Sequence, residues 1–166
     1  MNQTSKHILF VMGVSGSGKS TIGKLLETAL GYPFFDGDDF HPDHNIKKMA
    51  AGEPLNDDDR YDWLLALNEL AKNHTSNGAV IACSALKESY RDLLQKGIDT
   101  KVHYIYLNGS FEEILERLQQ RKGHYMPLEL LQSQFEALSP PKKAIVVEIK
   151  EQPEKIVDTI LIALDK

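Results

Sequence analysis

The segment 13–20, with the sequence GVSGSGKS, matches the pattern G-x-x-x-x-G-K-[ST] at every fixed position. The continuous apolar run at 8–12 precedes it and is typical of a buried strand, and apolar residues recur at helical spacing over 22–30. A strand, a glycine-rich loop and a helix in this order form the loop that binds the phosphates of a nucleotide. A glycine-rich turn with a chance lysine is the alternative, and the two flanking segments argue against it.

The residue types of this loop suit the binding of a triphosphate. Glycines at 13, 16 and 18 let successive backbone N–H groups face one anion, and the helix that follows adds the positive end of its dipole. Lys19 would reach the β- and γ-phosphates, and the hydroxyl of Ser20 would bind Mg²⁺. ATP and Mg²⁺ are therefore the predicted cofactors. The nucleotide-binding residues predicted in this segment are Gly13, Ser15, Gly16, Ser17, Gly18, Lys19, Ser20 and Thr21.

Length, charge and cysteine content narrow the function classes. The chain has 166 residues, which predicts one domain over 1–166, and its net charge of −5 argues against nucleic acid as a partner. Cys83 is the only cysteine, so a disulfide within the chain is excluded. The N-terminal segment lacks the pattern of a signal peptide, and no apolar stretch approaches the length of a membrane span. We therefore expect a cytoplasmic protein without a membrane partner.

Strand-like and helix-like segments alternate along the chain. Strands are predicted at 7–12, 33–36, 79–83, 102–107 and 145–149. Helices are predicted at 19–30, 42–51, 57–73, 87–96, 111–122, 127–138 and 153–165. The strands are short and continuously apolar, as in parallel sheets that are buried on both faces. This order predicts an α/β fold with a parallel sheet between layers of helices.

A second acidic segment, Asp36-Gly37-Asp38, follows the second strand. Ligands of open α/β sheets bind beyond the carboxyl ends of the strands, so these carboxylates would face the phosphate-binding loop. One carboxylate can hold a Mg²⁺-bound water, while the other orients or deprotonates an attacking hydroxyl. The third strand, 79–83, carries no Asp, which favours Asp36 as the carboxylate near the metal. A solvated acidic turn is the alternative.

These segments together resemble the gluconate kinases of the shikimate-kinase-like group, which are relatives of adenylate kinase. The similarity is nearly full length, and the region from Asp36 to Trp63 is its most specific part. The matching segments, in order, are 13–20, 36–38, 41–42, 45–49, 52–60, 63–64, 83–87, 90–92, 123–127 and 133–136.

The resemblance implies a P-loop three-layer sandwich whose five parallel strands have the order 2-3-1-4-5. It implies a helical substrate-binding lobe near 40–75, a short lid near 117–127, and transfer of the γ-phosphate of ATP to the 6-hydroxyl of D-gluconate. The segment 148–153 matches the family more loosely, and Pro153 is the residue expected there to contact the nucleotide. Members of this group often form dimers, so a homodimer is also a prediction.

A gluconate pocket needs fixed cations and hydrogen-bonding groups, because the substrate has one carboxylate and a chain of hydroxyls. Arg60 follows three Asp residues, and its planar guanidinium suits a bidentate clamp on a carboxylate. A local ion pair with Asp57 or Asp59 is the alternative for Arg60. Lys87 and Arg91 are four residues apart, which predicts that they share one helix face at the ligand edge of the sheet.

An ordinary basic helix face, paired with Glu88 or Asp92, is the alternative for Lys87 and Arg91.

Arg117 and Arg121 show the same spacing just before Gly123, which suits a lid that closes over ATP and excludes water. Arginines on such a lid can neutralise charge on the transferring phosphoryl oxygens. A solvated helix face balanced by Glu113 and Glu116 is the alternative here.

The remaining predictions assign roles around the substrate. Catalysis is assigned to Lys19, Asp38 and Arg117, and the metal to Ser20 and Asp36. Substrate binding is assigned to Asp38, His41, Arg60, Ser84, Lys87, Arg91, His124 and Gln134, with a purely structural role as the alternative for His41 and for His124. Trp63 is interpreted as a core residue. Rival functions are a kinase for another small acid or polyol, such as shikimate, and a nucleotide-dependent binding switch without a small acceptor.

Overall fold

The computed structural model describes residues 6–98, 101–121 and 127–165. The strands are β1 (His7–Met12), β2 (Phe34–Asp36), β3 (Ala79–Ala82), β4 (Lys101–Asn108) and β5 (Ile145–Glu148). The helices are α1 (Lys19–Leu30), α2 (Asp43–Ala50), α3 (Asp57–Lys72), α4 (Glu88–Gln95), α5 (Phe111–Gln120), α6 (Leu128–Ala137) and α7 (Pro153–Leu164). A single 3₁₀ turn, Gly37–Phe40, follows β2.

The five strands form one parallel sheet with the order β2-β3-β1-β4-β5, which confirms the predicted topology. The central strand, β1, pairs with β3 on one side and β4 on the other, so that Leu9 lies between Val80 and His103. Residues 8–12 all have 0 % exposure. Successive side chains of a strand point to opposite faces, so both faces of the sheet are covered and the architecture is a three-layer sandwich.

Helix starts follow local signals in the sequence. Asn56 caps α3 through a reciprocal capping box with Asp59, and Ser110 caps α5 in the same way with Glu113. Pro153 occupies the first position of α7, where its missing N–H costs no hydrogen bond. These contacts fix the starts of the helices that lie beside the carboxyl ends of the strands.

The segment after β2 forms a 3₁₀ turn that the sequence pattern does not predict. The carboxylate of Asp36 accepts a hydrogen bond from the backbone N–H of Asp38, which closes the turn. Gly37 is required at its start, because a Cβ atom there would lie 2.3 Å from the carbonyl oxygen of Ala82. The tight turn holds the two carboxylates at the end of the sheet.

The predicted substrate lobe, 40–75, contains α2 and α3. Of the predicted lid, 117–127, only 117–121 and 127 belong to the described residues. No helix in the described part of the chain combines the length and apolar character that a membrane span requires.

Candidate active site

The phosphate-binding loop joins β1 to α1 at the centre of the sheet edge. Its three glycines have φ angles of 149° at Gly13, 84° at Gly16 and 98° at Gly18. Residues with side chains rarely adopt these angles, so the glycines are needed for the path of the loop. Gln134 on α6 supports the loop from outside, since its Oε1 accepts from the N–H of Ser15 at 2.7 Å and its Nε2 donates to the hydroxyl of Ser15 at 3.0 Å.

Lys19 lies at the start of α1 with its ammonium folded over the loop. Nζ donates to the carbonyl oxygens of Gly13 at 3.0 Å and Val14 at 3.1 Å. Burial lowers the pKa of Lys19, and the nearby carboxylates of Asp38 and Asp36 oppose that shift. A phosphate anion is a stronger partner for an ammonium than a neutral carbonyl, so the position of Lys19 is compatible with a phosphate bound at the loop.

Ser20 and Asp36 meet between α1 and the end of β2. The hydroxyl of Ser20 donates to Oδ2 of Asp36 at 3.0 Å, while Oδ1 accepts the N–H of Asp38. Hydroxyl and carboxylate oxygens are the hard ligands that Mg²⁺ prefers, usually in small number and together with water and substrate phosphates. Within the described residues no cluster of three or more His, Cys, Asp or Glu side chains could hold a metal ion. The chemistry of the pair therefore fits a Mg²⁺ ion that has further ligands from outside the protein.

A cleft of about 440 Å³ lies beside the loop and is called the acceptor cleft below. It brings together seven of the predicted site residues, namely Ser15, Lys19, Asp38, His41, Arg60, Ser84 and Gln134. Apolar residues of the cleft wall include Met49, Leu86 and Leu130. Residues more than 100 positions apart in the sequence thus line one concave surface.

Asp38 faces this cleft with 82 % of its side chain exposed. The surrounding walls still remove part of its hydration, which raises its pKa, while the charge of Lys19 acts in the opposite direction. A carboxylate with a raised pKa is a better proton acceptor than one in open solvent. Asp38 is therefore suited to accept a proton from a hydroxyl bound in the cleft.

His41 lies behind Asp38 against the indole of Trp63. The two rings stack with centroids 4.1 Å apart, and Nε1 of Trp63 donates to the carbonyl oxygen of Gly37 at 2.7 Å. Burial, followed by the charge of Arg60, lowers the pKa of His41 to about 4. Trp63 is a core residue, as interpreted from the sequence, and it also lines the acceptor cleft and fixes the turn that carries Asp38.

Arg60 is held by Tyr90 of α4, a partner that sequence reasoning missed. Nη1 of Arg60 donates to the Tyr90 hydroxyl at 3.0 Å, and the guanidinium lies 5.4 Å from the centre of the phenol ring. The Tyr90 hydroxyl donates to Oδ1 of Asp57 at 2.5 Å, and Nζ of Lys87 donates to the same oxygen at 2.9 Å. The hydrogen bond from Tyr90 and then that from Lys87 lower the pKa of Asp57.

The alternative of an ion pair between Arg60 and Asp57 or Asp59 is absent among the described contacts. Asp59 pairs instead with Nζ of Lys48 at 2.7 Å. Lys87 lines a neighbouring cavity of about 470 Å³ that it shares with Arg60 and Asp57, rather than the acceptor cleft. Its position leaves Lys87 at the rim, in contact with the residues that orient Arg60.

Arg91 is not brought to the substrate side. Its guanidinium donates to the backbone carbonyls of Ala85 at 2.7 Å, Leu86 at 3.3 Å and Ser139 at 2.9 Å, and the residue is 6 % exposed. The expected shared face fails because Lys87 is the N-cap of α4, with an extended backbone, so the helical spacing does not apply to it. Arg91 holds the loop after β3 in place.

A further cavity, of about 360 Å³, lies on the other side of the phosphate-binding loop and is called the nucleotide pocket below. Predicted site residues that line it are Gly16, Ser17, Gly18, Thr21, Arg117, Arg121 and Pro153. Nη1 of Arg117 donates to the Ser17 carbonyl at 3.4 Å, and Nη2 donates to the Ile149 carbonyl. Arg117 thus links the loop to the segment after β5.

Sequence reasoning missed five other residues that line the nucleotide pocket, namely Ile22, Gln120, Ile149, Glu151 and Ile156. Two of them lie in 148–153, the segment that matches the family pattern loosely.

Ser84 lines the acceptor cleft, and its carbonyl accepts the N–H of Gly13 at 3.3 Å. His124 lies outside the described residues.

Comparison with known proteins identifies the family and the fold. The sequence model of the family described as shikimate kinase matches residues 15–165. The chain is 45 % identical to the thermoresistant gluconokinase of Escherichia coli K12, over 96 % of this chain and 94 % of that protein. It is 44 % identical to a probable gluconokinase of Mus musculus, over 95 % and 97 %.

A solved structure shares the fold closely. The crystal structure of a gluconokinase from Sinorhizobium meliloti 1021 superposes with a TM-score of 0.90 at 41 % identity, over 98 % of this chain and 94 % of that one. The sheet order, the phosphate-binding loop and these similarities lead to one assignment. The chain belongs to the shikimate kinase family of ATP-dependent kinases, in its gluconokinase branch.

Proposed function

We propose that the chain is a gluconokinase, which transfers the γ-phosphoryl group of ATP to the 6-hydroxyl of D-gluconate to give 6-phospho-D-gluconate and ADP. The observation that carries this proposal is the acceptor cleft, which contains Lys19, Asp38 and Arg60 together. A phosphate-binding cation, a proton acceptor and a carboxylate-binding cation are the three groups that phosphorylation of a sugar acid requires.

In this proposal the acid binds with its carboxylate on Arg60 and its far hydroxyl at Asp38. The hydrogen bond to Tyr90 fixes the fork of Arg60, and a fixed planar fork suits two parallel hydrogen bonds to a carboxylate. Asp38 accepts the proton of the hydroxyl as its oxygen attacks phosphorus. Ser84 lies on the same cleft, and its hydroxyl is available for another hydroxyl of the acid. His41 and Gln134 also line the cleft, but contacts with Asn45 and Ser15 already engage their polar atoms.

ATP binds with its phosphates on the loop and its base in the nucleotide pocket, where Arg117, Arg121 and Pro153 line the wall. Ser20 and Asp36 would hold Mg²⁺, which neutralises phosphate charge when it is bound. Lys19 leaves the carbonyls of Gly13 and Val14 for the β- and γ-phosphates. Arg117 stabilises the charge that develops on the transferring group, and closure of the predicted lid excludes water from the cleft.

The proposal also covers the cellular location and the oligomeric state of the protein. A cytoplasmic location goes with it, because ATP is supplied there. A homodimer stays a prediction, and light scattering on the purified protein at several concentrations tests it: a constant mass of one chain would exclude it.

A coupled assay of ADP release tests the substrate. The panel contains D-gluconate, other aldonates, shikimate, the uncharged polyol D-glucitol, and a reaction with ATP alone. Stimulation by gluconate that exceeds stimulation by D-glucitol is expected, because Arg60 would read the carboxylate. A larger response to another acid would indicate the rival kinase, and slow hydrolysis insensitive to every acid would indicate the binding switch.

A further inference from the structure

Asn45 on α2 is a fully buried side chain in contact with a backbone carbonyl and with His41. Its exposure is 0 %, and its Nδ2 donates to the carbonyl oxygen of Asp59 at 2.7 Å. A carbonyl oxygen only accepts hydrogen bonds, so the nitrogen of the amide must face Asp59. The orientation of the Asn45 amide is therefore fixed by its chemistry.

The same nitrogen lies 3.2 Å from Nδ1 of His41. Since Nδ2 carries two hydrogens, it donates one to Asp59 and the other to the ring, and Nδ1 must accept. A neutral imidazole that accepts at Nδ1 carries its own proton at Nε2. Burial and the charge of Arg60 lower the pKa of His41 to about 4, so the ring is neutral near pH 7.

The other ring nitrogen faces Asp38. Nε2 of His41 lies 3.9 Å from Oδ1 of Asp38. We infer that Asn45 is a positioning residue for phosphoryl transfer, which holds His41 as its Nε2–H tautomer so that the ring offers Asp38 a donor rather than a lone pair. The catalytic consequence rests on the proposed function, whereas the tautomer follows from the hydrogen bonds alone.

The surroundings favour one tautomer over the other. With the proton on Nδ1, two N–H groups would oppose each other at Asn45, and a lone pair would face the carboxylate of Asp38. Stacking on Trp63, with an interplanar angle of 15°, restricts rotation of the His41 ring. The charged groups that act on the ring are Asp38 in the 3₁₀ turn and Arg60 on α3.

Two residues on one face of α2 contact the same partner, Asp59. Asn45 binds the backbone carbonyl of Asp59, and Lys48 binds its carboxylate. The Oδ1 atom of Asn45 is buried and has no hydrogen-bond partner in the described part of the chain. A buried acceptor without a partner lowers the stability of the fold, so a purely structural role would favour a side chain that lacks this oxygen.

The tautomer can be read directly in the protein without substrate. Two-dimensional ¹H–¹⁵N spectra of the side chains distinguish a protonated from an unprotonated ring nitrogen, and loss of one of the six histidine signals in His41→Gln assigns the residue. We expect that Nδ1 of His41 is unprotonated and Nε2 is protonated at pH 7. A protonated Nδ1, or comparable populations of the two tautomers, would overturn the inference.

The variant Asn45→Ala tests the cause. It should give a mixture of tautomers and lower kcat about tenfold, which corresponds to about 1.4 kcal/mol in the barrier, with the KM for ATP unchanged. Asn68→Ala is the matched control, because Asn68 is also buried and its amide donates to the carbonyls of Leu94 at 2.8 Å and Lys96 at 3.0 Å. That control should leave the His41 signal and kcat as they are.

Unchanged tautomer and kcat in Asn45→Ala would refute the positioning role. A second arm uses His41→Gln as the background, where the addition of Asn45→Ala should cause no further loss of kcat if Asn45 acts through the ring. A full additional loss there would also refute it. If the tautomer is as expected while no acid stimulates turnover, the proposed function is rejected and the tautomer assignment stands.

Discussion

The hydroxyl of Ser20 donates a hydrogen bond to Oδ2 of Asp36 over 3.0 Å, which joins the first turn of α1 to the end of β2. The contact brings together two side-chain oxygen atoms from residues that are 16 positions apart in the sequence. It also connects the phosphate-binding loop to the turn that carries Asp38, since the other oxygen of Asp36 accepts the N–H of that residue. Two hydrogen bonds through Asp36 thus connect the first turn of α1 to the 3₁₀ turn after β2.

Asp36→Asn should raise the Mg²⁺ concentration needed for half-maximal rate by about tenfold, because a neutral amide is a poorer ligand and holds metal-bound water less firmly. Titration of the rate with Mg²⁺ at saturating ATP measures the shift. Asp39→Asn changes the net charge equally at an exposed neighbour and should leave the titration curve unchanged. Equal titration curves for Asp36→Asn and the native protein would show that Asp36 does not contribute to Mg²⁺ binding.

Asp38→Asn should reduce kcat by about 10²- to 10⁴-fold, the usual contribution of a positioned general base. ATP binding should persist, since the phosphate-binding loop and Lys19 are untouched. Steady-state kinetics and calorimetric titration with ATP separate the two effects. Native turnover in this variant would contradict the role of Asp38.

Tyr90→Phe should raise the KM for gluconate about tenfold and lower kcat much less, because it removes the hydroxyl that holds Arg60. Michaelis–Menten kinetics with gluconate as the varied substrate measure the split. Tyr104→Phe is the matched control, since that hydroxyl donates to the carbonyl of Arg91, away from the cleft. A loss confined to kcat would indicate that Arg60 does not bind the ground-state acid.

His41 should make the protein less stable in mild acid. Its pKa falls from 6.5 to about 4 on folding, so the unfolded chain takes up the proton first and the folded state loses stability as the pH falls from 6.5 towards 4. At pH 5 this amounts to about 2 kcal/mol. Urea unfolding at pH 7 and pH 5 measures the difference.

His41→Gln removes this titration while it keeps a polar side chain. The loss of unfolding free energy between pH 7 and pH 5 should be smaller in the variant by the same amount, whatever the other histidines contribute. An identical pH dependence in both proteins would mean that His41 is protonated as readily in the folded as in the unfolded state.

The sheet and its helices could be predicted because each segment carries its own signal. Residues 8–12 are apolar at every position, as two-sided burial requires, and Asn56 and Ser110 mark helix starts through capping boxes. The carboxyl ends of parallel strands meet at one edge, which predicts that Asp36 and Asp38 lie beside the phosphate-binding loop. Local pattern and chain topology were sufficient for these features.

Contacts between side chains that are distant in the sequence could not be predicted, because they depend on how the helices and strands pack. The spacing of Lys87 and Arg91 suggested a shared face, yet the helix begins one residue after Lys87, and Arg91 turns to backbone carbonyls. Tyr90 lies in one of the segments that match the family, but its contact with Arg60 depends on how α3 and α4 pack. The direction of the Asn45 amide likewise depends on a carbonyl 14 residues away.

The site to which phosphate is transferred tests the central claim most directly. The protein is incubated with ATP, Mg²⁺ and D-gluconate, and the product is examined by ³¹P–¹H correlation spectroscopy. We expect one phosphate ester that correlates with the two protons on C6, formed in equal amount to ADP. Inorganic phosphate alone, or an ester at another carbon, would contradict the placement of the 6-hydroxyl at Asp38.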